Sequence, residues 1–435
     1  MSFLITLYNI GIRFYGTGIR MASFFNAKAR LWTDGRRDIF TTIKNDIAAL
    51  PISNEPLPKT LWMHVASLGE FEQGRPLIEA LKNKTPQYKI ILTFFSPSGY
   101  EIRKKYPLAD HVFYLPMDTP QNARQFLDII QPDLVVFVKY EFWYHYLNEL
   151  KNKRIPTILI SGIFNKKQLS VFNPYAYLLK KMLLCFTRIF VQTPPSVSLL
   201  QEAGFCQVHL AGDTRVDRVI GIAKEAKTYP SIEKFVGNAP VLICGSTWQE
   251  DEEIIVQLFN NKYFTHYKFI IAPHDISAKN IERLEKILPE KYIKYSTESD
   301  ENGKESNTTK AAETDIRILI IDNIGMLSSI YRYGKTAYIG GGFGKGIHNT
   351  LEPIAFGLPV IFGKQYKKFE EAIRLIETGG GFSIADFKSL EEKMLFLKDE
   401  KNYLHASKAA LDYLDNNKGA TDIIMHFIEK EAYHR

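Results

Sequence analysis

The chain has 435 residues, of which 45% are hydrophobic and 24% charged, and its formal net charge is +7. This length allows two or three domains with cores of their own, and the composition excludes a disordered or collagen-like chain. The three cysteines lie far apart, which excludes a disulfide-rich scaffold, gives no metal-ligand spacing and fits a reducing compartment.

More than half of the excess positive charge lies in the first 60 residues, where eight Lys/Arg stand against four acidic residues. A basic and apolar N-terminus favours an anionic membrane surface or an anionic substrate, and no nucleic-acid motif accompanies it. As a helix, residues 1–25 place Arg13 and Arg20 on a narrow polar stripe, which is typical of a helix in the membrane interface. The alternative is a helix packed on the protein's own core. The longest uncharged run, Met1 to Ile12, is too short to span a bilayer, and no secretory signal is recognisable.

From residue 60 onward, short apolar runs alternate with helical patterns, which predicts parallel sheets covered by helices on both faces. The first set of predicted strands is Leu61–Ala66, Lys89–Phe94, His111–Leu115, Leu134–Val138, Thr157–Ile160 and Arg188–Gln192. The second set is Val241–Cys244, Phe269–Ala272, Ile318–Ile321, Ala337–Ile339 and Val360–Phe362. A break near Leu210–Asp213 separates the two sets, and the polar residues 296–315 predict a solvated loop. Since ligands of doubly wound sheets bind at the carboxyl ends of the strands, two such domains are expected to share one cleft.

A glycine-rich stretch after the predicted strand ending at Ile339 is the strongest indication of a ligand site. Five glycines lie within seven residues, at Gly340, Gly341, Gly342, Gly344 and Gly346. They allow backbone N–H groups to approach a ligand, and the predicted helix that opens at His348, Asn349 and Thr350 offers a positive end to one phosphate. Glu352, inside that helix, is placed to accept from ribose hydroxyls. The pattern predicts a nucleotide-sugar site; the alternative is a strand–loop–helix whose glycines serve packing alone.

Polar residues follow several strands of the first set. Glu70 is predicted to begin the helix after the first strand, where its carboxylate would act as a general base toward a hydroxyl or merely complement the helix dipole. Ser67 and Gly69 form the turn before it. Ser96 ends the second strand, either to bind substrate or to cap a helix, and Lys139 and Glu141 after the fourth strand indicate substrate contact or an internal ion pair.

Further candidates lie at the boundary and in the second set. Arg215, in the stretch Gly212–Asp217, would reach a phosphate. Ser246 and Thr247 follow the first strand of the second set and His274 follows its second strand, so all three are expected to face the base and phosphate pocket. No cluster has metal-ligand spacing, and no Ser/His/Asp or Cys/His arrangement is recognisable.

These motifs occur in an order that resembles the bacterial 3-deoxy-D-manno-octulosonic acid (Kdo) transferase family, from about Trp62 to Gly381. The segments that carry the resemblance are His64–Glu70, Tyr114–Asp118, Glu141–Trp143, Val191–Gln192, Gly212–Asp217, Gly245–Thr247, Asp322–Leu327, and the glycine stretch with His348–Asn349 and Leu351–Pro353.

The resemblance implies an α/β protein of GT-B type, in which two Rossmann-like doubly wound domains face a central cleft behind an N-terminal membrane-associating helix. The expected domains are an N-terminal membrane-associating segment, an acceptor domain, a nucleotide-sugar donor domain and C-terminal helices, at residues 1–40, 41–208, 209–400 and 401–435.

The implied reaction is the inverting, metal-independent transfer of Kdo from CMP-Kdo to the lipid A precursor (lipid IVA), without a cofactor, at the cytoplasmic face of the inner membrane. Glu70 is the implied catalytic base. Arg75 is a candidate for the Kdo carboxylate, and the remaining weak acceptor or sugar contacts are Ser67, Gly69, Ser96, Lys139 and Glu141. The implied donor-binding residues are Arg215, Ser246, Thr247, His274, Gly341, Gly342, Gly344, Lys345, His348, Asn349, Thr350 and Glu352.

The chain departs from the family pattern at several positions, which bear more on acceptor contacts than on donor chemistry. Lys139 stands where an acid is usual, and Trp248 stands where the family has histidine. The alternatives are another nucleotide-sugar enzyme of the same fold, such as a UDP-sugar transferase or an epimerase, and a non-catalytic nucleotide-sugar-binding membrane protein.

Overall fold

The computed structural model describes residues 2–48, 59–170, 175–289, 291–298 and 316–433, so residues 299–315 of the predicted loop lie outside the described part. The chain forms two compact units. The first consists of Met1–Asp217 with Lys418–Arg435, and the second of Arg218–Asn417. Compared with the domain boundaries expected from the sequence, the division lies several residues later, and the last residues join the first unit instead of forming a separate segment.

The first unit contains seven parallel strands and the helices that cover them. Its strands are β1 (Thr60–Val65), β2 (Lys89–Phe94), β3 (His111–Tyr114), β4 (Leu134–Val138), β5 (Thr157–Gly162), β6 (Arg188–Val191) and β7 (Val208–Leu210). Its helices are α1 (Ser2–Ala22), α2 (Ala27–Asp34), α3 (Ile39–Ala48), α4 (Leu68–Lys84), α5 (Pro97–Arg103), α6 (Pro120–Ile130), α7 (Tyr144–Asn152), α8 (Lys166–Leu169), α9 (Ala176–Leu183), α10 (Pro194–Glu202) and the start of α11 (Thr214–Lys224).

The second unit repeats this plan. Its strands are β8 (Val241–Thr247), β9 (Lys268–Pro273), β10 (Tyr292–Lys294), β11 (Ile318–Ile320), β12 (Thr336–Ile339), β13 (Val360–Gly363) and β14 (Gly381–Ile384). Its α-helices are α12 (Pro230–Val236), α13 (Gln249–Ile255), α14 (Ala278–Ile287), α15 (Tyr295–Glu298), α16 (Leu327–Ile330), α17 (Leu351–Ile354), α18 (Glu370–Thr378), α19 (Phe387–Phe396) and α20 (Glu400–Asn417). Two 3-10 turns are Val256–Leu258 and Tyr331–Tyr333.

Both sheets are doubly wound. The first has the order β3-β2-β1-β4-β5-β6-β7 and the second β10-β11-β9-β8-β12-β13-β14, with parallel pairing throughout. The order reverses between β1 and β4 in one sheet and between β8 and β12 in the other. A crevice forms outside the carboxyl ends of the strands at such a reversal, and this is where open α/β sheets bind ligands.

The central strands are buried on both faces, as the apolar runs predict. Every residue of β1 and β4 is buried, and the core clusters lie on either side of the first sheet. The two predicted sets of strands, eleven in all, are confirmed. The three strands that the sequence analysis missed, β7, β10 and β14, lie at sheet edges and are only partly buried, so no continuous apolar run marks them.

The last helix, α21 (Ala420–Tyr433), packs on the first unit. Its apolar residues Ile424, Met425 and Ile428 are buried in the same core cluster as Leu77 and Ile78 of α4. Asp217 fixes the start of α21, because its carboxylate accepts hydrogen bonds from the N–H groups of Gly419 at 2.6 Å and Thr421 at 2.7 Å. The C-terminal helix therefore packs against α4 and belongs to the core of the first unit.

Helix α1 docks on the first unit by one face only. The Tyr8 hydroxyl donates to Asp118 Oδ2 at 2.5 Å, and Asn9 Oδ1 lies 2.5 Å from His145 Nε2. The opposite face exposes large apolar side chains, which are Phe3, Leu7, Ile10, Phe14 and Met21. No helix in the described ranges is both long enough and apolar enough to cross a membrane.

Tyr8→Phe is expected to weaken the attachment of α1. Asp118 is almost fully buried, and burial raises its pKa to about 6 although hydrogen bonds from Tyr8 and from the His145 and Tyr146 amides oppose that rise. Removing the hydroxyl leaves a carboxylate oxygen with one donor fewer, at a cost of about 1–3 kcal/mol. The pKa of Asp118 should rise further, since the lost bond favoured the ionised form.

Urea unfolding and the rate of proteolysis within residues 1–25 measure the effect. Because the folded pKa of Asp118 exceeds its unfolded value, this group's contribution to stability falls as pH rises through the window from about 4 to about 6. In Tyr8→Phe the same loss should extend to higher pH. Tyr15→Phe, on the same helix, is the control, and equal effects from both variants would contradict the role given to the Tyr8 hydroxyl.

Candidate active-site residues

Glu70 lies in the first turn of α4, directly after β1, as predicted. It is partly buried, and its carboxylate accepts a short hydrogen bond from the hydroxyl of Ser67, the residue that precedes the helix. Gly69 beside it is exposed. Because β1 is one of the two strands at which the order of the first sheet reverses, Glu70 stands at the expected ligand-binding crevice of that sheet.

Glu141 follows β4, the other strand at this reversal, and is held by a buried histidine. Glu141 Oε2 lies 3.1 Å from His64 Nε2 and accepts from Trp143 Nε1 at 3.0 Å, while His64 Nδ1 lies 2.9 Å from Thr93 Oγ1. No Lys139–Glu141 ion pair forms in the described part of the chain, so the alternative of an internal pair is wrong. The sequence analysis missed the structural role of His64 and Thr93.

Two other sequence candidates, Arg75 and Ser96, already form contacts within the first unit. The Arg75 guanidinium pairs through its Nε with Glu79 one helical turn away, at 2.7 Å, and its assignment to the Kdo carboxylate stays a prediction. Ser96 caps α5, since its hydroxyl accepts from Ser98 N at 3.4 Å. Lys139 directly follows β4, and its backbone lies in the left-handed region with φ of 61°. For Ser96 the capping alternative is the one observed.

Arg215 is bound by a carboxylate of its own segment. Its Nε and Nη2 groups donate to the oxygens of Asp213, with a shortest distance of 2.6 Å. Burial acts to raise the pKa of Asp213, but the Arg215 charge and its hydrogen bonds outweigh burial and lower it. Arg215 belongs to the first unit, so its predicted place in the donor domain differs from its position in the structure.

In the second unit, the glycine loop after β12 meets the end of β8, which is the reversal point of this sheet. A Cβ atom at Gly340 would overlap the backbone of Ser246 and Thr247, and one at Gly342 would lie 2.5 Å from the N atom of Gly363. Gly341 has φ of +88°, and its N–H donates to Asp251 Oδ2 at 2.8 Å. Packing therefore explains these three glycines, and the Gly341 amide is already in use.

The tip of the loop differs from its base. A Cβ at Gly344 would meet no atom closer than the Gly341 carbonyl oxygen, at 3.8 Å, and both Gly344 and Lys345 are exposed. Space for a ligand therefore remains beside the tip.

The helix predicted after the loop is a single turn, α17, so the expected contribution of its dipole to phosphate binding is reduced to nearby N–H groups. Asn349 is the residue that shapes the turn. Its Oδ1 accepts from Leu351 N at 3.0 Å and its Nδ2 donates to Glu352 Oε1 at 3.0 Å, which positions that carboxylate at the mouth of the loop. Thr350 is fully buried, so it is not open to a ligand.

A stack of three rings joins the loops that follow β8, β9 and β12. The His274 ring lies 4.6 Å from that of Trp248 and 4.4 Å from that of His348, with interplanar angles of 26° and 27°. Trp248 Nε1 donates to His348 Nε2 at 3.0 Å. Burial first, and then the neighbouring His274, lower the pKa of His348 to about 4. His348 is therefore neutral near pH 7, and the bond from Trp248 directs its own proton to Nδ1.

Asp251 connects the loop after β8 to the glycine loop. Its carboxylate accepts from the N–H groups of Trp248 and Gly341 and from the Tyr338 hydroxyl, at 2.8–2.9 Å. Thr247 beside it is buried and donates to Glu252 Oε1 at 2.8 Å, whereas Ser246 is only partly buried. The sequence analysis did not identify Asp251. Its spacing of three residues from Trp248, at the start of a helix, was the available signal.

Trp248→Phe is expected to keep the stacked ring and lose the donor to His348. The neutral Nε2–H tautomer of His348 then becomes populated beside the Nδ1–H form, because the Trp248 donor that required a bare Nε2 is gone. Nitrogen-15 NMR of the histidine side chains follows the tautomer, with His266 as the unchanged reference. An unchanged His348 signal would contradict the assigned bond.

No group of acidic, histidine or cysteine side chains within the described ranges has the arrangement of a metal site. The first unit gathers the carboxylates of Glu70 and Glu141 at its strand reversal. The second unit gathers a glycine loop with neutral imidazole, amide, carboxylate and lysine groups.

Comparison with known proteins supports relationships along most of the chain. Residues 40–218 match the family model described as 3-deoxy-D-manno-octulosonic-acid transferase (kdotransferase). The 3-deoxy-D-manno-octulosonic acid transferase of Aquifex aeolicus is 28% identical over 78% of this chain and 86% of its own length. A bifunctional glycosyltransferase/methyltransferase of Fusobacterium nucleatum is 26% identical over 79% of this chain, which covers 53% of that protein.

Among solved structures, the fold is similar to that of the UDP-GlcNAc 2-epimerase from Neisseria meningitidis. The TM-score is 0.57 at 17% identity, covering 86% of this chain and 100% of that one. At this identity the likeness concerns the fold alone. It agrees with the two doubly wound α/β units described above.

Proposed function

From its similarity to the Kdo transferases we propose that the chain is a glycosyltransferase of that family and that it transfers Kdo from CMP-Kdo to the lipid A precursor. One observation carries the proposal. In each unit the polar residues collect at the strand reversal of the sheet. The first unit has two carboxylates there, Glu141 engaged by His64 and Trp143 and Glu70 accepting from the Ser67 hydroxyl, and the second has a nucleotide-type loop. A transferase that inverts the anomeric carbon needs one base and no covalent nucleophile.

The proposed step is a direct displacement. The Glu70 carboxylate takes the proton of an acceptor hydroxyl, the hydroxyl oxygen forms a bond to the anomeric carbon of Kdo, and the bond from that carbon to the CMP phosphate oxygen breaks. CMP leaves with the electron pair of the broken bond. The Ser67 hydroxyl, which donates to Glu70, keeps the carboxylate oriented toward the crevice.

The second unit is proposed to bind the CMP portion without a metal ion. Lys345 at the exposed loop tip supplies positive charge, and His348 supplies a neutral N–H donor at Nδ1. Glu352, held by Asn349, is assigned to the ribose hydroxyls. A single phosphate needs less compensating charge than a diphosphate, which fits this modest set of donors.

We further propose that the protein acts at the cytoplasmic face of the inner membrane, where α1 lies in the interface. The support is the exposed apolar face of α1 and the basic residues that border it.

Binding and turnover of the full chain test the proposal. In calorimetry, CMP should bind more tightly than UDP, and incubation with CMP-Kdo and a tetraacylated disaccharide bisphosphate should release CMP. Tighter binding of UDP, with no CMP release, would favour a UDP-sugar transferase or an epimerase instead. CMP binding without turnover under any acceptor condition would favour a non-catalytic binding protein.

A further inference from the structure

A cavity of about 880 Å³ lies in the first unit between α1, α2 and the loop after β3. Four arginines line it, and Asp38 is the single acidic residue among the lining side chains. Its remaining polar lining consists of hydroxyl and amide groups, among them Thr17 and Asn122. A concave surface with this excess of positive charge fits an anion.

The four arginines differ in the contacts that their guanidinium groups form. Arg36 is used by the fold, because its guanidinium donates to the carbonyl oxygens of Trp32, Leu115 and Phe95 at 2.7–3.1 Å. Arg37 pairs with Asp34 at the surface. Arg13 and Arg20 have no carboxylate within ion-pair distance among the described residues, so their charges are open to a ligand in the cavity.

The position of these two arginines on α1 relates the cavity to the apolar face. Arg13, Gly16, Thr17 and Arg20 form one stripe of the helix, all lining the cavity. At 3.6 residues per turn, this stripe lies about 100° from the exposed apolar face that runs through Ile10, Phe14 and Met21. An amphiphile would therefore find a cationic cavity beside an apolar surface.

The cavity also borders the edge of the sheet that carries the candidate base. Arg36 donates to the Phe95 carbonyl, and the Phe95 amide donates to the carbonyl of Val65, which ends β1 just before Glu70. The loop after β3 lies two strands from β1 in the sheet, which is on the order of 10 Å. That span is about the size of a disaccharide.

We propose that this cavity binds a phosphate group of the acylated sugar acceptor through Arg13 and Arg20, while the acyl chains lie along the exposed face of α1. The inference rests on the proposed function, which it deepens by assigning the acceptor's phosphate. It makes the two arginines determinants of acceptor specificity and leaves the base and the donor site unchanged.

The test compares Arg13→Gln/Arg20→Gln with Lys28→Gln/Lys44→Gln, a control with the same charge change at exposed positions outside the cavity. Each protein is assayed in detergent micelles with a tetraacylated disaccharide bisphosphate and with its dephosphorylated form. The arginine variant should raise KM for the bisphosphate by roughly 10- to 100-fold, the range of a charge-assisted hydrogen bond or two, at similar kcat and CMP affinity. KM for the dephosphorylated form should not change.

Several results would overturn the inference. They are an equal rise in KM for both acceptors, the same rise in the lysine control, or no rise at all. A defect confined to vesicles containing phosphatidylglycerol, absent in micelles, would show that the arginines bind a bilayer phosphate and not the acceptor. Equilibrium binding of the bisphosphate in the absence of donor tests the cavity even if CMP-Kdo proves not to be a substrate. The failure of this inference can therefore be told apart from the failure of the proposed function.

Discussion

Replacing Glu70 by glutamine should lower the rate of CMP release by about 10²- to 10⁴-fold, the range that a positioned general base contributes. Glutamine keeps the size of the side chain and an oxygen that accepts from the Ser67 hydroxyl, so the geometry at the start of α4 should persist. It lacks only the capacity to take a proton. CMP affinity should be unchanged, because the groups assigned to CMP belong to the second unit.

Glu72→Gln is the matched control, two residues further along the same helix. Glu72 accepts from Arg103 Nη2 at 2.9 Å and lies 3.8 Å from Arg75, so it has a structural role. Its replacement should leave kcat within about twofold, as expected for a partly exposed ion pair. If CMP release persists in Glu70→Gln, or falls equally in both variants, Glu70 is not the base.

Gly342→Ala should destabilise the second unit by about 2–3 kcal/mol. The added methyl would lie 2.5 Å from the N atom and 2.6 Å from the Cα of Gly363, and neither is a flexible side chain that can turn away. The glycine loop and β13 would have to separate, which also disturbs the loop beside His348. A lower midpoint in thermal or urea unfolding, together with weaker CMP binding, measures both consequences.

Gly344→Ala, two residues later in the same loop, gives the contrast. Its methyl would meet nothing closer than 3.8 Å, and its backbone is outside the left-handed region, so stability should stay the same or rise by up to about 1 kcal/mol. If both alanine variants are equally stable, close packing does not explain Gly342. If Gly344→Ala loses CMP affinity while remaining stable, the loop tip contacts the ligand.

Much of the fold followed from local pattern. Eleven of the fourteen strands, the start of α4 at Glu70 and the glycine loop after β12 depend on apolar runs, helix starts and glycine content, which are properties of neighbouring residues. The sequence analysis did not predict that α17 is a single turn. The Asn349 side chain bonds to Leu351 N and to Glu352, and these contacts cannot be read from the sequence pattern.

The long-range contacts were beyond such reasoning. Trp248 meets His348 across 100 residues, and this pairing depends on the adjacency of β8 and β12 in the sheet. In the same way, the bonds of Asp251 to the glycine loop depend on tertiary packing. The cleft shared by the two domains stays a prediction.

The return of the last helix to the first unit has a practical consequence for work with this protein. Ile424, Met425 and Ile428 support α4 from the side opposite its exposed residues, while Asp217 anchors the segment at Gly419 and Thr421. A deletion or a bulky fusion at the carboxyl terminus would loosen the helix that bears Glu70, although 350 residues separate them. A premature stop near residue 418 would therefore destabilise the first unit, although the lost residues lie far from α4 in the sequence.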